Sequence, residues 1–483
     1  MEEYKTTRLT SPDYLFRDAE GRVSNRLQEF QPLRSDFRAV FSVLKFGAIV
    51  PPLSPFIGIE RVAPLTDFYE PDADNQIIKD GQEAADCLIK QKNIVKDTLD
   101  SLLLKNLPTS SDPIVLFSGG VDSSVLACRL KSLGFDGTIL INFSFGPDDP
   151  ESIHAEQMAK EIDLRFVRIT AGPTTTRCLE HPGLVYDMPF GDHSVSPTSE
   201  LAEAVCDVIR DDKRVVLDGV GADGVFGLVK KLRKWRRLTL MPQFIARASS
   251  AFYGTGLWQK ENNIEYLTRV LSRFLNASFS SSMIAQNPLN GIAYDNQYNH
   301  EVDFLLNKWL QRSVGADSVR SALAADVALT CANIFAQKGK PIFERAGHKV
   351  FFPYLEDSIV RLCLHDMVSW NMATPKAPLK AILADAVPHD MVYRPKSGFV
   401  DPHSGIFYLR PFIEYLNNAV ESTSGIGDIL NKKFIITASN LLMKGSSLPA
   451  QTRNLLWAVV FVDRWYQTFQ GAARKGSGAQ AMG

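Results

Sequence analysis

One segment of the chain is rich in groups that bind phosphate. Residues 118–124 read Ser-Gly-Gly-Val-Asp-Ser-Ser and follow a short apolar run at 114–117. The paired glycines let the backbone approach an anion with no Cβ in the way, and free N–H groups at the start of the following helix suit phosphate oxygens. Asp122 would repel a phosphate unless a cation lay between them, which indicates Mg²⁺. No lysine follows the glycines, so this is not a Walker A loop.

Two further segments carry charged residues in constrained turns. Residues 214–227 indicate a strand that runs into a glycine-rich turn bearing Asp223. Carboxylates of Asp122 and Asp223 on neighbouring strand ends could hold Mg²⁺ against a triphosphate from both sides. Residues 393–399 form a loop in which Pro395 and Gly398 constrain the backbone around Lys396. That lysine could neutralise pyrophosphate or the charge that grows during acyl transfer.

The elements that must position these groups follow a β-α-β pattern. Apolar runs recur at 114–117, 138–143, 166–169 and 215–217, with helical segments such as 151–162 and 198–210 between them. The alternation predicts an α/β fold, a parallel sheet with helices on both faces. The phosphate-binding segment would then lie at the carboxyl end of its strand, where such sheets bind ligands. Residues 225–385 read as mostly helical.

Composition sets limits on the class of protein. The 483 residues are 45% hydrophobic and carry a formal net charge of −1, which predicts a multidomain globular protein and argues against a general nucleic-acid binder. The six cysteines are scattered without a C-x-x-C pair, which predicts buried thiols of a reducing compartment and no zinc site. The N-terminal residues do not read as a signal peptide, and no apolar run is long enough to span a membrane. A cytoplasmic location is the resulting expectation.

The sequence divides into three expected regions. Residues 1–105 form a first region, 106–470 the main domain, and 471–483 a disordered tail rich in glycine, alanine and serine. Six lysine and arginine residues crowd the run 230–237 around Leu232 and Trp235. This run is either a solvated helix face or a docking patch for an acidic partner, such as a carrier domain or a peptide leader.

The segment 118–124 resembles the phosphate-binding motif of the PP-loop ATP pyrophosphatase superfamily. Taken in order, the segments resemble the synthetase domain of the asparagine synthetase family over residues 110–410. The resemblance rests on the motifs already described and on residues 142–146, 151–159, 189–192, 353–356, 375–380 and 394–399. It implies an adenine nucleotide α-hydrolase-like sheet, a mostly helical C-terminal part and, upstream, a short remnant of the family's glutaminase domain.

The resemblance also implies a reaction. A substrate carboxylate attacks the α-phosphate of ATP, pyrophosphate leaves, and an amine or ammonia displaces AMP from the acyl-adenylate. Transferred by position, the roles concern four groups: the pyrophosphate cradle, the Mg²⁺ ligands, the adenosine pocket and a cation at the phosphates. The pyrophosphate cradle would consist of Ser118, Gly119, Gly120, Ser123 and Ser124, and the Mg²⁺ ligands would be Asp122 and Asp223. The adenosine pocket would be lined by Leu116, Phe143 and Gly219, and the cation at the phosphates would be Lys396.

Departures from the family pattern are equally informative. Glu2 stands where glutamine-dependent members carry their catalytic cysteine, so the first region is expected to lack glutaminase activity. Three glutamates of the asparagine-forming members are replaced by Met188, Val220 and Gly224, and an arginine by Phe351. Because a buried ammonium needs a carboxylate partner, these changes predict a less polar or larger carboxylate substrate than aspartate. The pattern is nearer to β-lactam synthetases and lasso-peptide cyclases.

The residue that would deprotonate the amine is left open. Five candidates follow from the sequence, each with a structural role as the alternative: Tyr354, Glu356, His348, Asp187 and Asp192. Asp192 could instead cap a helix that begins near residue 197.

The leading prediction is an ATP-dependent amide-forming ligase that joins a small-molecule or peptide carboxylate to an amine, in a specialised pathway and without its own glutaminase. One alternative is an asparagine synthetase-type enzyme that uses free ammonia or ammonia from a partner. Alternatives of another class are a PP-loop enzyme that modifies tRNA and a non-catalytic adenylate-binding scaffold. Neither a catalytic cysteine pair nor an added basic domain supports the tRNA enzyme.

Overall fold

A computed structural model describes most of the chain. The described residues are 13–30, 33–62, 82–108, 112–209, 213–237, 278–286, 293–315, 318–364, 374–394, 402–422 and 426–480, with short pieces at 242, 244–245 and 248. Lys396 and Glu2, both named above, lie outside them.

A five-stranded parallel sheet forms the centre of the fold. Its strands, in spatial order, are β6 (Arg165–Thr170), β5 (Ile139–Ser144), β4 (Ile114–Leu116), β7 (Val215–Leu217) and β8 (Lys349–Phe351). All neighbouring pairs are parallel. The chain adds β5 and β6 on one side of β4, and β7 and β8 on the other. The order therefore reverses beside β4, which is where open parallel sheets bind ligands.

Helices cover both faces of this sheet, as the sequence predicts. Val115 of β4 and Leu217 of β7 join the large core that includes helix α3 (Val121–Ser132). Ile114 and Val216 point the other way, into a smaller cluster with helix α6 (Val195–Ile209). Successive residues thus bury opposite faces, so both faces require apolar side chains and the strands read as continuous apolar runs.

The remaining described helices surround this core and make up most of the C-terminal part. They are α1 (Phe37–Phe46), α2 (Gln82–Asn106), α4 (Pro150–Ile162), α5 (Pro182–Val185), α7 (Val229–Arg236), α8 (Phe279–Ile284), α9 (Asn299–Val314), α10 (Ser318–Ala325), α11 (Lys340–Arg345), α12 (Asp357–Leu362), α13 (Ala377–Leu383), α14 (His389–Tyr393), α15 (Arg410–Val420), α16 (Lys432–Met443) and α17 (Ala450–Gln480). Two segments, Asp223–Gly227 and Asp326–Phe335, are π-helical.

The N-terminal region forms a small antiparallel sheet. Its strands β1 (Phe16–Asp18), β2 (Val23–Ser24) and β3 (Ile59–Arg61) pair in the order β2-β1-β3. Helix α1 follows this sheet's first hairpin and joins the body of the protein through a buried ion pair from Lys45 to Asp303. Residues from Tyr14 to Phe469 contribute to one hydrophobic core.

The last helix connects the two ends of the chain. Phe56 packs against the rings of Trp465, Tyr466 and Phe469 of α17, and the Tyr466 hydroxyl donates to the Pro55 carbonyl at 2.7 Å. α17 continues to Gln480, into the segment for which the sequence analysis expects a disordered tail. Within the described residues, no helix combines the length and apolar character that crossing a membrane requires.

Candidate active site

The segment 118–124 is a tight turn between β4 and α3. Gly119 has a left-handed backbone with φ +70°, and Gly120 is the residue before the first turn of α3. Within the turn, the N–H groups of Ser118 and Gly120 donate to the hydroxyls of Ser123 and Ser118, at 3.2 and 3.3 Å. The hydroxyls therefore lie on the concave side of the turn, at the positive end of the helix dipole, as a phosphate cradle requires.

Gly119 is required by space as well as by backbone angle. A Cβ at this position would lie 2.6 Å from Cα of Ala155 in α4. Gly134, at the other end of α3, has φ +86° and open space around it. We expect Gly134→Ala to cost about 1 kcal/mol from the left-handed backbone alone, and Gly119→Ala about 2 kcal/mol more from the clash.

Urea unfolding of the two alanine variants measures this difference, since they share the backbone penalty and differ in the contact. Equal losses of unfolding free energy would contradict the close packing of the turn on α4.

A cavity of about 560 Å³ opens beside this turn, at the carboxyl ends of β4, β5 and β7. Seven of the residues implied by the resemblance line it: Leu116, Ser118, Asp122, Ser123, Phe143, Gly219 and Asp223. Gly119 and Gly120 form the turn itself and do not line the cavity. Ser124 is fully buried in the first turn of α3. Leu116 and Phe143 give the cavity an apolar wall of the kind that holds a flat ring.

Asp122 and Asp223 come together around one ammonium group. Lys376 Nζ lies 2.6 Å from Asp122 Oδ2 and 2.6 Å from Asp223 Oδ1. The two carboxylates arise from neighbouring strands, one after β4 and one after β7, as the sequence analysis expects. The cation between them, Lys376, belongs to the motif 375–380, but its sequence context did not indicate that it reaches the site.

The backbone fixes Lys376 in this place. The residue precedes α13 with a left-handed φ of +60°, and its N–H donates to the carbonyl of Phe226 at 2.9 Å. Burial alone lowers the pKa of Lys376, but attraction to Asp122 and Asp223 and hydrogen bonds with them outweigh burial and raise it. Lys376 is therefore a permanent cation at the cavity rim.

The opposite wall of the cavity comes from the π-helix Asp326–Phe335. Asp326, Thr330, Cys331 and Phe335 line the cavity, and the Cys331 thiol donates to Asp326 Oδ2 at 3.7 Å. A Cβ on Gly224 would lie 2.9 Å from that same oxygen, so the loss of a side chain at 224 makes room for Asp326. Burial raises the pKa of Asp326 to about 6.

Asp218, at the end of β7, also lines the cavity and is the second of its acidic groups with a raised pKa. Burial raises its pKa to about 6, against the hydrogen bond that its carboxylate accepts from the N–H of Val220 at 3.0 Å. Raised pKa values of carboxyl groups in one cavity are typical of functional sites.

None of the five base candidates lines the described cavity. The hydroxyl of Tyr354 is buried and donates to the Asp122 carbonyl at 2.9 Å, while His348 Nδ1 accepts from the N–H of Arg214. Asp192 pairs with Lys338 at 2.8 Å and accepts from the N–H of Ser194, just before α6 begins. Asp187 and Glu356 likewise lie away from the cavity wall.

The three lost glutamates separate into two groups. Val220 and Gly224 line the cavity. Met188 is buried in the hydrophobic core and does not. Compared with the asparagine-forming members, the cavity therefore lacks acidic side chains at two positions. Of the three replacements, only those at Val220 and Gly224 affect which substrate the cavity can bind.

The run 230–237 is also partly described. Helix α7 carries most of it, with the Lys231 ammonium 4.9 Å from the centre of the Trp235 ring. A role in docking an acidic carrier or peptide stays a prediction.

The family model for asparagine synthase matches residues 95–467. The chain therefore belongs to the asparagine synthase family, and membership supports an ATP-using enzyme of the ligase or adenylating type. No curated protein matches significantly.

Two solved structures are also similar to the chain. The NH3-dependent NAD synthetase of Campylobacter jejuni is 14% identical, with 29% of this chain and 59% of that one covered and a TM-score of 0.20. The U34-tRNA thiolase of Methanococcus maripaludis is 13% identical, with 50% and 78% covered and a TM-score of 0.22. The chain thus spans less than two thirds of the length of the NAD synthetase.

Proposed function

We propose that this protein is an AMP-forming ligase. It activates a substrate carboxylate with ATP, releases pyrophosphate, and couples the acyl-adenylate to an amine. In this reaction a carboxylate oxygen bonds to the α-phosphorus while the α–β phosphoanhydride breaks. The amine nitrogen then bonds to the acyl carbon, loses a proton, and AMP leaves.

One observation carries the proposal. The carboxylates of Asp122 and Asp223 converge on a single cation at the rim of a cavity that the phosphate cradle and an apolar wall also line. Two carboxylates beside a phosphate cradle make the charge arrangement of a metal–triphosphate site.

The residues fit Mg²⁺, because oxygen ligands from two elements already hold one cation between them. Asp122 and Asp223 would bind the ion, which when bound neutralises phosphate charge. Lys376 then supplies a second positive charge to the departing pyrophosphate, and the cradle of residues 118–124 donates backbone hydrogen bonds to it.

The acceptor side of the cavity supports an amine nucleophile. Asp326 is the acid on that wall, and its raised pKa of about 6 suits a group that accepts a proton near neutral pH. Leu228, Val220 and Phe335 give the same region apolar surface. We therefore assign deprotonation of the amine to Asp326 and infer a substrate with an apolar body.

Pyrophosphate release from ATP tests the proposal. The assay uses a panel of aliphatic and aromatic amino acids, N-acyl amino acids and short peptides as carboxylates. Asp122→Asn and Asp223→Asn should each lower carboxylate-dependent release about a hundredfold. Asp136→Asn is the control, since this residue is as exposed as Asp223 (70% against 69%) and lies beyond the far end of α3.

Binding of α,β-methylene-ATP with Mg²⁺ gives a measurement that needs no carboxylate. We expect the wild-type protein and Asp136→Asn to bind it and the two site variants to bind it more weakly. A wild-type protein that neither binds this analogue nor releases pyrophosphate with any carboxylate would overturn the proposal.

A further inference from the structure

A buried side chain of the N-terminal sheet contacts the π-helix that forms one wall of the cavity. Arg61, the last residue of β3, is 3% exposed, and its Nη2 donates to Asn333 Oδ1 at 3.0 Å. Asn333 is 2% exposed and belongs to the π-helix Asp326–Phe335. The side chain of Asn333 does not line the cavity, so Arg61 holds this helix from behind.

Burying this guanidinium is costly. No carboxylate pairs with Arg61 among the described residues, and its Nη1 atom has no hydrogen-bond partner there. Burial lowers the pKa of Arg61 to about 10. The ring of Tyr14, 4.9 Å from the guanidinium carbon, offsets only part of this cost. An apolar residue at this position would make the folded protein more stable. The presence of an arginine therefore indicates that its contact with Asn333 has a function.

The helix that Arg61 contacts is one that needs support. π-Helical hydrogen bonding is less favourable than α-helical bonding and recurs at functional sites. This segment carries Asp326, Thr330, Cys331 and Phe335 into the cavity. A shift of the π-helix by a fraction of an ångström would move all four together, and catalytic groups lose much of their effect when misplaced by about 1 Å.

We propose that Arg61 is a positioning residue: through Asn333 it fixes the π-helix and so sets the acceptor wall of the cavity. The N-terminal region would then serve the synthetase chemistry directly, as part of the scaffold of its site. The catalytic role of Asp326 rests on the function proposed above, whereas the effect of Arg61 on the position of the π-helix does not.

Two measurements without substrate test this role. We expect Arg61→Met to speed amide hydrogen exchange within 326–335 and alkylation of Cys331 by N-ethylmaleimide, each about tenfold. Lys45→Met is the matched control, because Lys45 is 1% exposed and joins the same N-terminal region to Asp303 of α9. It should lower the melting temperature and leave both rates in the π-helix near their wild-type values.

A second variant covers the case in which Arg61→Met does not fold. Asn333→Asp places a carboxylate opposite the guanidinium and should slow exchange within 326–335. Unchanged exchange and Cys331 labelling in Arg61→Met, at a melting temperature lowered as in Lys45→Met, would overturn the proposal; so would faster exchange in Asn333→Asp.

Activity supplies a readout that a purely structural role would not move. With a carboxylate found by the pyrophosphate assay, Arg61→Met should raise KM for the amine about tenfold and leave KM for ATP near its wild-type value. Arg61→Lys, which keeps one donor, should restore part of the loss. Equal changes in both KM values would contradict the positioning role. Failure of both the pyrophosphate assay and analogue binding would refute the proposed function and leave the exchange result standing.

Discussion

Lys376→Met is expected to lower pyrophosphate release about a thousandfold at saturating ATP and Mg²⁺. Methionine keeps the length of the side chain and removes its charge. The side chain is only 12% exposed, so water replaces little of the lost electrostatic stabilisation. Because the pKa of Lys376 is raised, the loss should be the same across the neutral pH range.

The same variant should bind divalent cations more tightly when no nucleotide is present. In the wild-type protein the ammonium occupies the place between Asp122 and Asp223, and its removal leaves two carboxylates facing each other. Mn²⁺ binding, followed by electron paramagnetic resonance, measures this effect. Tighter metal binding together with lower activity in Lys376→Met would indicate that the lysine charge acts on pyrophosphate. A lysine that only stabilises the fold would not produce this combination.

Lys340→Met is the control for both measurements. Lys340 is 10% exposed and also bridges two carboxylates, Asp13 and Glu344, at 2.8 Å each. It does not line the cavity. If Lys340→Met lost as much activity as Lys376→Met, the loss would reflect stability, and the role given to Lys376 would be wrong.

Asp326→Asn is expected to lower the rate of coupling to the amine about a thousandfold and to stabilise the folded protein. A base must be ionised to accept a proton, and the pKa of Asp326 is about 6. The rate of amide formation in the wild-type protein should therefore rise with pH through about 6 and then level off. The asparagine variant should retain pyrophosphate release in the first step and lose this pH dependence.

The contribution of Asp326 to stability should change with pH in the direction opposite to the rate of amide formation. Folding raises the pKa of Asp326 from 3.8, so between about 4 and 6 the folded state keeps a proton that the unfolded state releases. This carboxyl group therefore lowers the free energy of unfolding as pH rises through that window. At pH 8 we expect Asp326→Asn to be about 3 kcal/mol more stable than wild type, and the difference should shrink toward pH 4.

Thr330→Val completes this test. A hydrogen bond from Thr330 lowers the pKa of Asp326, so its removal should move the acidic limb of the pH–rate profile to higher pH without abolishing activity. A profile that stays in place, or an asparagine variant with normal coupling, would exclude Asp326 as the base.

The glycine turn at residues 118–124 and the position of Asp223 could be predicted from the sequence because each depends on local pattern. A strand followed by paired glycines and a helix start determines its own geometry, and parallel strands bring two such turns to one edge of a sheet. The two faces of the sheet were likewise evident from runs such as 114–117, where alternate residues serve opposite layers.

Lys376 and Asp326 could not be predicted in this way. Lys376 reaches the site because its left-handed backbone lies against Phe226, a contact between distant parts of the chain. Asp326 stands in an apolar helical stretch with no motif around it, and it enters the cavity only because Gly224 leaves room. Both contacts depend on tertiary packing, and a residue's neighbours along the chain do not reveal them.

The packing of α17 on the N-terminal region has a consequence for biosynthesis. Phe56 and the Pro55 carbonyl find their partners in Trp465, Tyr466 and Phe469, which are synthesised long after them. The parallel sheet and the turn at residues 118–124 can form earlier, from strands that are complete by residue 351. The segment around Phe56 therefore reaches its final packing only after residues 465–469 have been synthesised, and until then its apolar surface lacks these partners.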